Sequence, residues 1–538
     1  MTSTSAIAID FGTSNTVVAR WNPATQQAET LSLMGISQQV AQNPPLIPSL
    51  AYIENAAENR VIVGQAVRDR GLDLSGDQRF FRNFKRGIGN QVLGFMPELD
   101  GQYMNFERVG EWFLRAIAQQ LTSLNYLQAD VPLILTVPVD SFEAYRYWLG
   151  SVCQSFPSKE VRLLDEPTAA ALGYGMTAQD LILIIDFGGG TLDLSLVRLD
   201  RPQTPQAKPL GFLLKWGDRS LAVDSTQQPK TARVLAKAGQ NLGGADLDNW
   251  IVDYFHKTQD LQPSPLVTRL AERLKIQLSV QPQATEVYFN DQTFESYELS
   301  LDRQQLEAIL HDHEFFECMD ISMQEVLQRA RQQGIEASDI DAVLLVGGTA
   351  QLPMVQQWVR RYFDETKISG AKPFEAIAQG ALHIAQGIEV VDYLYHSYGI
   401  RYWDRRLNRH NWHPLIKTGQ PYPMEHPVEL VLGASTENQP SIELVIGELG
   451  AETGGTEVYF DGDRLITRSL GANQTQVTPL NDTDNARTIA KLDPPGVPGN
   501  DRIKVLFRVD AQRFLRITVD DLLTNRTLID DQAVVQLS

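Results

Sequence analysis

Two similar stretches of sequence decide the fold of this chain. Residues 7–19 read IAIDFGTSNTVVA, and residues 183–197 read LIIDFGGGTLDLSLV. In each stretch an apolar run ends in Asp-Phe-Gly, small residues follow, and a second apolar run returns. This pattern predicts a β-hairpin with a tight glycine-bearing turn. Because the pattern occurs twice, we expect a duplicated domain with two similar lobes.

Working outward from the repeats, strand patterns alternate with helix patterns as far as residue 387. Val109, Phe113, Ile117 and Leu121 follow helical spacing, and residues 133–137 and 342–346 form apolar runs typical of buried strands. This alternation predicts an α/β architecture. Residues 201–230, rich in Pro, Gln and Lys, are interpreted as an inserted loop or small hairpin.

The pattern changes near Ile388, where strand follows strand. Ile503, Val505 and Phe507 alternate with polar residues, which is typical of half-buried antiparallel strands in a β-sandwich. The predicted domains are therefore residues 1–387, with lobes of about 1–179 and 180–387, a linker at 388–394, and an all-β domain at 395–538. No helical pattern follows the last strand.

Composition and net charge exclude several classes of function. The chain has 538 residues and a net charge of −19, so a basic surface for nucleic acid or an anionic membrane is not expected. Cys153 and Cys318 are the two cysteines, which excludes a disulfide framework and a cysteine-rich zinc site. No signal peptide or apolar run of about 20 residues is found. These features favour a cytoplasmic protein.

Four glycine-rich turns lie at the ends of apolar strands: Asp10–Asn15, Asp186–Thr191, Asn241–Gly244 and Val346–Thr349. Glycine lets the backbone approach phosphate oxygens with its N–H groups. The carboxylates of Asp10 and Asp186 end matching strands, and such oxygens suit a hydrated Mg²⁺ on ATP phosphates. Each aspartate alone is better explained as a cap of its own turn. The pairing across the repeat favours the metal site.

These motifs resemble those of a known protein family. The chain resembles the seventy-kilodalton heat-shock chaperones of the DnaK type, with motifs in family order across residues 5–385. The matching segments are IDFGTSNT at 9–16, FKRGIG at 84–89, TVP at 136–138, DEPTAAALGYG at 165–175, DFGGGTLD at 186–193, LGGADLD at 242–248, ERLKIQLS at 272–279, LVGGT at 345–349 and EAIAQGA at 375–381.

The resemblance implies an actin-like, RNase H-like ATPase domain that uses ATP or ADP and Mg²⁺, with K⁺ as a further candidate ion. Its ATP hydrolysis would be coupled to protein folding. The implied catalytic residues are Lys85, Glu166, Thr191 and Asp193, and the implied metal residues are Asp10 and Asp186. The implied nucleotide-binding residues are Gly12, Thr13, Ser14, Asn15, Gly188, Gly189, Gly190, Gly243, Gly244, Glu272, Lys275, Ser279, Gly347, Gly348 and Thr349.

The resemblance also implies coupling between the two domains. Pro138, Arg146 and Asp392 match residues that relay the nucleotide state, although a proline there is also an ordinary strand terminator. Leu432, Ile442 and Trp403 are the implied peptide-binding residues, for extended segments of client polypeptides. A J-domain co-chaperone and a nucleotide exchange factor are implied as partners.

Some positions depart from the family pattern. Gln351 and Phe374 replace residues expected near the adenine, and the linker at 388–392 reads IEVVD, with a charge inside its apolar run. Residues 401–413 read RYWDRRLNRHNWH and are interpreted as an enlarged substrate loop. This loop favours acidic or aromatic client segments, or it packs on the ATPase domain. The chain ends where the family's helical lid would begin, so we expect a lid-less variant with fast peptide release.

Three hypotheses follow. The first is an ATP-dependent chaperone, and the second is a specialised partner-binding protein with a weak or degenerate ATPase. The third is a sugar kinase or a filament-forming actin relative, since these share the ATPase fold. The Glu166–Ala171 segment and the β-domain fit the third poorly.

Overall fold

The first 386 residues alternate strands and helices, as the sequence pattern predicts. The computed structural model describes residues 5–39, 43–74, 76–89, 92–93, 97–138, 143–175, 181–200, 231–290, 294–386, 394, 397–404, 409–417, 420, 422–424, 426–449, 456–461, 464–469, 477–482, 488–510 and 513–537. Contacts divide the chain into two units: residues 1–390 with 456–468, and residues 391–455 with 469–538. The 201–230 insertion and the predicted linker, apart from Leu394, lie outside the described residues.

The strands of the first unit form two mixed sheets and several small ones. In chain order they are β1 (Ile7–Phe11), β2 (Asn15–Asn22), β3 (Gln27–Thr30), β4 (Ile47–Pro48), β5 (Leu50–Asn55), β6 (Arg60–Val63), β7 (Phe80–Arg82), β8 (Val92–Leu93), β9 (Glu98–Leu99), β10 (Gln102–Tyr103), β11 (Leu133–Val137), β12 (Val161–Asp165), β13 (Leu181–Phe187), β14 (Leu192–Asp200), β15 (Thr231–Gln240), β16 (Gln283–Asn290), β17 (Glu295–Asp302), β18 (Ala342–Val346) and β19 (Ile368–Ser369).

Ten helices accompany these strands within the described residues. They are α1 (Gln65–Asp69), α2 (Phe106–Ser123), α3 (Glu143–Cys153), α4 (Glu166–Gly173), α5 (Gly244–Gln259), α6 (Pro265–Val280), α7 (Arg303–Asp312), α8 (Phe315–Arg331), α9 (Pro353–Val359) and α10 (Ala376–Ala381). Short 3₁₀ turns include Leu72–Leu74 and Phe84–Gly87. Within the described ranges, no helix combines the length and apolar character that crossing a bilayer requires.

The two large sheets repeat one arrangement. In the first, β1 pairs with β2 as a hairpin and runs parallel to β11, which runs parallel to β12. In the second, β13 pairs with β14 as a hairpin and runs parallel to β18, which runs parallel to β19. Both repeated sequence stretches are therefore hairpins at matching places in their sheets. We call residues 5–175 the first half of this unit and residues 181–386 the second half.

Helices α4 and α10 pack together within a core that includes strand residues of both sheets. Their contact leaves no space for larger side chains, since a Cβ on Gly380 would lie 1.8 Å from the Ala169 carbonyl oxygen. A Cβ on Gly173 would lie 1.9 Å from the Ala376 carbonyl oxygen. This close approach fixes α4, whose first residue is Glu166, relative to the two hairpins.

The second unit is built of strands, in agreement with the β-rich prediction. The remaining strands of the chain are β20 (Ser397–Asp404), β21 (Arg409–Ile416), β22 (Val428–Gly433), β23 (Gln439–Leu444), β24 (Ile446–Leu449), β25 (Thr456–Asp461), β26 (Arg464–Ser469), β27 (Val477–Pro479), β28 (Thr488–Gly496), β29 (Asp501–Val509), β30 (Phe514–Asp521) and β31 (Arg526–Gln536). Two four-stranded antiparallel sheets, β21-β20-β24-β27 and β22-β29-β30-β31, contribute to one core containing Tyr398, Ile446, Phe507 and Ile517.

Two features differ from the expectation. Strand β25 pairs in parallel with β8, so residues 456–468 group with the first unit rather than with the β-domain. The predicted loop at 401–413 is largely a hairpin, because β20 and β21 continue to pair at Arg401–Trp412 and Trp403–His410. Aromatic and basic residues of the predicted loop therefore lie on two paired strands, with residues 405–408 outside the described residues.

A buried ion pair gives a test of the second unit. Arg502 on β29 donates a hydrogen bond of 2.8 Å to Asp521 on β30, and both side chains are almost fully buried. We expect Arg502→Ala to destabilise this unit by about 3–5 kcal/mol, because it leaves a buried carboxylate without its cation. Differential scanning calorimetry would measure the loss.

The matched control is Lys504→Ala on the same strand. Lys504 pairs with Glu429 at 2.7 Å, but both side chains are partly exposed. We expect this change to cost less than about 1 kcal/mol. Equal losses in the two variants would contradict the importance of burial.

Candidate functional site

The turn of the first hairpin, Gly12–Asn15, is held from behind by Ser49. The Ser49 hydroxyl donates to the Gly12 carbonyl oxygen at 2.7 Å, and the Ser49 N–H donates to the Ser14 carbonyl oxygen at 2.9 Å. A Cβ on Gly12 would lie 2.2 Å from the Asn15 carbonyl oxygen. The turn is therefore tight and needs glycine at its start.

The turn of the second hairpin, Gly188–Thr191, lies directly against the first. A Cβ on Gly189 would lie 1.8 Å from the Ser14 Oγ, and a Cβ on Gly190 would lie 2.6 Å from the Thr13 Oγ1. The two glycine-rich turns thus meet with only backbone on one side and small hydroxyl residues on the other. The structure brings these sequence-predicted residues together.

A third glycine turn packs against the second. Gly243 precedes α5, and a Cβ there would lie 2.5 Å from backbone atoms of Gly189 and Gly190. The N–H of Gly244 donates to the Gly188 carbonyl oxygen at 3.1 Å, and the N–H of Ala245 donates to the Gly189 carbonyl oxygen at 2.9 Å. The start of α5 therefore supports the loop from the second half.

Four acidic residues named by the sequence and one lysine stand beside these turns. Lys85 Nζ lies 3.2 Å from Glu166 Oε1 and 5.6 Å from the centre of the Phe11 ring. Asp10 accepts a hydrogen bond of 2.8 Å from Thr136 Oγ1. Asp186 and Asp193 face each other as cross-strand partners of the second hairpin. The cluster joins both halves of the unit.

Burial and charge set the protonation of this cluster. Burial, together with the Glu166 carboxylate, raises the pKa of Asp10 to about 7 and raises the pKa of Asp186 well above its ordinary value. Burial lowers the pKa of Lys85, but Glu166, Tyr145 and Asp10 outweigh this effect, so the pKa stands above its ordinary value. A half-buried cluster with this excess of acids is suited to a bound cation.

A pocket opens beside this cluster, lined by residues of both halves. Its walls include Pro138, Glu166, Asp186, Asp193 and Lys237. Lys237 lies on β15 opposite Ser195 of β14, and Asp193 is two residues before Ser195 on the same strand. The sequence-predicted Pro138 therefore stands beside the acidic cluster.

Helix α6 carries the predicted adenosine-binding face. Arg68 of α1 donates to both oxygens of Glu272, at 2.9 and 2.7 Å. Burial raises the pKa of Glu272, but the positive charge of Arg68 outweighs burial and holds this pKa below its ordinary value. Lys275 Nζ lies 2.7 Å from Asp248 and donates to the Gly244 carbonyl oxygen at 2.6 Å. Ser279 Oγ donates to the Lys275 carbonyl oxygen. Glu272 thus joins the two halves of the unit.

The fourth glycine turn lies close to these elements. Gly347 has a φ of +84° and accepts no Cβ, since one would lie 2.3 Å from the Phe187 carbonyl oxygen. Thr349 Oγ1 donates to the Gly188 carbonyl oxygen at 2.8 Å. The Phe374 ring packs on Gly348, with 3.1 Å between a Cβ built there and the ring. The Nε2 of Gln351 is buried and has no hydrogen-bond partner among the described residues.

Other predicted residues are not part of this cluster. The Arg146 side chain and Asp392 lie outside the described residues. In the second unit, Ile442 is buried in the core, Leu432 packs partly against that core, and Trp403 is 43% exposed. No contact found among the described residues joins these three side chains into one pocket. Their role in peptide binding stays a prediction.

Comparison with known proteins identifies the family. A sequence profile of the family described as Hsp70 protein matches residues 96–204 and 231–394, which together make just over half of the chain. The chain belongs to the Hsp70 family. A curated relative, the chaperone protein DnaK of Psychrobacter cryohalolentis, is 25% identical over 561 residues, covering 96% of this chain and 75% of the relative.

The site contains further residues that the sequence motifs did not single out. Arg86 follows Lys85 in the FKRGIG motif, and Thr136 begins the TVP motif, so both were signalled by position. Asp246 likewise lies within the LGGADLD motif at 242–248. Arg68 and Lys237 carried no such signal, because their importance depends on which segments the fold brings beside them.

The packing of the glycine turns gives a direct test. We expect Gly243→Ala to lower the melting temperature clearly, because its Cβ would meet backbone atoms that cannot rotate away, at a cost of roughly 1–3 kcal/mol. Gly188→Ala is the matched control, since a Cβ there meets nothing within 4 Å. Thermal unfolding monitored by circular dichroism compares the two variants. A larger loss for Gly188→Ala would be inconsistent with the described packing.

Proposed function

We propose that this chain is an ATP-dependent chaperone that hydrolyses ATP between two similar lobes and thereby controls its grip on client polypeptides. The observation that carries the proposal is the meeting of Thr13 and Ser14 with Gly189 and Gly190 beside a half-buried acidic cluster. Phosphoryl transfer needs positioning and charge stabilisation more than covalent chemistry, and this junction offers both.

The residues present fit a nucleotide and a magnesium ion. The acids of the cluster supply oxygen ligands only, which suits Mg²⁺. Within the described residues, no group of three His, Cys, Asp or Glu side chains is placed to bind a metal ion directly. This is compatible with a Mg²⁺ ion that is held mainly by water and phosphate oxygens. The buried hydroxyl of Tyr145, beside Lys85, has no hydrogen-bond partner among the described residues, so a polar atom there is available to a ligand.

The proposed roles follow from these positions. Asp10 and Asp186 would hold Mg²⁺ through water, and bound Mg²⁺ supplies charge neutralisation to phosphate oxygens. Lys85 carries positive charge towards the γ-phosphate and the attacking water, and Glu166 fixes the lysine. Thr191 and Asp193 complete the hydrolytic site from the second half.

The nucleotide would be held by elements that the structure already orders. Gly12–Asn15 and Gly188–Gly190 would bind phosphates, with Gly243 and Gly244 behind them. In the second turn the N–H groups of Gly189 and Gly190 would make these bonds, since the Gly188 N–H donates to the Thr191 carbonyl oxygen at 3.1 Å. Glu272, Lys275 and Ser279 would bind the adenosine, with Gly347–Thr349 beneath the base. Because Arg68 bridges to Glu272 across the two halves, we infer that opening this ion pair accompanies nucleotide release.

Turnover is the decisive test of this function. We expect measurable ATP hydrolysis by the wild type, stimulated by an unfolded protein, and at least a roughly 100-fold loss in Lys85→Ala, since a charge-stabilising group is removed. Nucleotide affinity, measured by isothermal titration calorimetry, should stay within about tenfold. A wild type that binds no ATP, or that hydrolyses it equally well without Lys85, would refute the proposal.

The hairpin of β20 and β21 carries side chains that favour a particular class of client segment. Its residues 401–413 carry four arginines and one aspartate in a chain of net charge −19. Trp403 and Arg409 are exposed, and the Trp403 ring meets His410 edge-on at 5.0 Å. We propose that extended client segments rich in acidic and aromatic side chains bind here, since charge complementarity and aromatic contact favour them.

Peptide binding tests this preference. We expect Trp403→Ala and Arg409→Ala each to weaken binding of an acidic, aromatic peptide by roughly three- to tenfold, because an aromatic contact or a charge is lost. Fluorescence anisotropy would measure this against an uncharged aliphatic peptide. Arg526→Ala, at an exposed arginine of β31, is the control and should have no effect. Indifference of both peptides to both changes would rule out this client surface.

A further inference from the structure

The carbonyl groups of the loop Gly188–Thr191 are all engaged. The Gly188 carbonyl oxygen accepts from the Gly244 N–H at 3.1 Å and from Thr349 Oγ1 at 2.8 Å, and the Gly189 carbonyl oxygen accepts from the Ala245 N–H at 2.9 Å. These donors belong to the second half of the unit, like the loop itself. Two of the three glycine carbonyls are thus fixed locally.

The third carbonyl is held from the opposite half. Arg86 donates to the Gly190 carbonyl oxygen through Nε at 3.1 Å and also through a terminal guanidinium nitrogen. The same guanidinium donates to both oxygens of Asp246, at 3.1 and 2.5 Å. Asp246 in turn accepts from the Gly243 N–H at 2.8 Å, so it also caps α5. The Arg86 side chain is 3% exposed.

These bonds decide where the N–H groups of the loop point. In a planar trans peptide the N–H of one residue points opposite to the carbonyl of the residue before it. The N–H groups of Gly189, Gly190 and Thr191 therefore turn away from the donors that hold the carbonyls. Across the described ranges none of these three makes a hydrogen bond within the protein. They are left to bind an anion.

We propose that Arg86 is a positioning residue that orients the Gly190–Thr191 peptide, so that the Thr191 N–H faces the bound phosphate when the two halves meet. This rests on the proposed function. Lys85 and Arg86 are consecutive residues of one 3₁₀ turn, whose side chains diverge by a third of a turn. Lys85 therefore contacts Glu166, while Arg86, the next residue of the same turn, contacts the loop Gly188–Thr191.

A second ion pair offers a matched comparison. Arg269 of α6 lies 3.2 Å from Asp73 of the 3₁₀ turn Leu72–Leu74, so it also links the two halves. Among the described residues, the hydrogen bond and ion pair of Arg269 are both with Asp73 and do not involve the loop Gly188–Thr191. Loss of this pair removes a bridge between the halves without releasing the Gly190 carbonyl.

The experiment compares Arg86→Ala, Arg86→Lys and Arg269→Ala in the full chain with Mg²⁺ present. Calorimetry measures ADP and adenosine affinity, and single-turnover assays measure hydrolysis of bound ATP. For Arg86→Ala we expect hydrolysis to fall roughly 10- to 100-fold and ADP affinity to fall about tenfold, with adenosine affinity within about twofold. Arg86→Lys should lie between, because one ammonium cannot reproduce the forked contacts.

The outcomes separate the explanations. Arg269→Ala should hydrolyse bound ATP at the wild-type rate; an equal loss in that variant would reduce Arg86 to a general link between the halves and overturn the proposal. Hydrolysis within about twofold of wild type in Arg86→Ala would also overturn it. Should Arg86→Ala fail to fold, Arg86→Lys carries the same test. A wild type that binds no ADP would instead count against the proposed function.

Discussion

Three turns that meet with glycine on at least one side of each contact are the constraint on which the first unit depends. Gly189 and Gly190 meet Ser14 and Thr13, and Gly243 meets the other side of the same loop at distances that no Cβ could occupy. Gly243 meets backbone atoms of the loop, whereas Gly189 and Gly190 meet the hydroxyl side chains of Ser14 and Thr13, so a larger residue at any of these three glycines would displace its neighbour. The sheets and helices of both halves bring these turns to one place.

The charge distribution at that place is unfavourable without a ligand. Burial disfavours the ionised forms of Asp10 and Asp186, and the pKa of each is raised. Lys85 compensates only part of this charge through Glu166. Burying unbalanced acids costs free energy, and such costs are typical of sites that bind cations or carry out chemistry. The contact between α4 and α10 is tight enough to exclude a Cβ at Gly380. It fixes the position of Glu166, the first residue of α4, despite this electrostatic cost.

The second unit follows a different principle. Its strands bury alternate side chains in one core, and the buried Arg502–Asp521 pair ties two central strands together. Its hairpin of β20 and β21 instead places aromatic and basic side chains at the surface. Ile442, which the family resemblance implies as a peptide-binding residue, is buried in that core, and its role in peptide binding stays a prediction.

The sequence by itself determined the paired hairpins, the α/β-to-β change and the glycine turns, because residue periodicity and small-residue turns are local properties of the chain. It also indicated the Hsp70 family through ordered motifs. Only the tertiary structure decided that Arg86 reaches Gly190, that Arg68 pairs with Glu272 and that residues 456–468 join the first unit. These contacts join segments far apart in the chain, and no local pattern encodes which long-range neighbours a charged side chain or an edge strand meets.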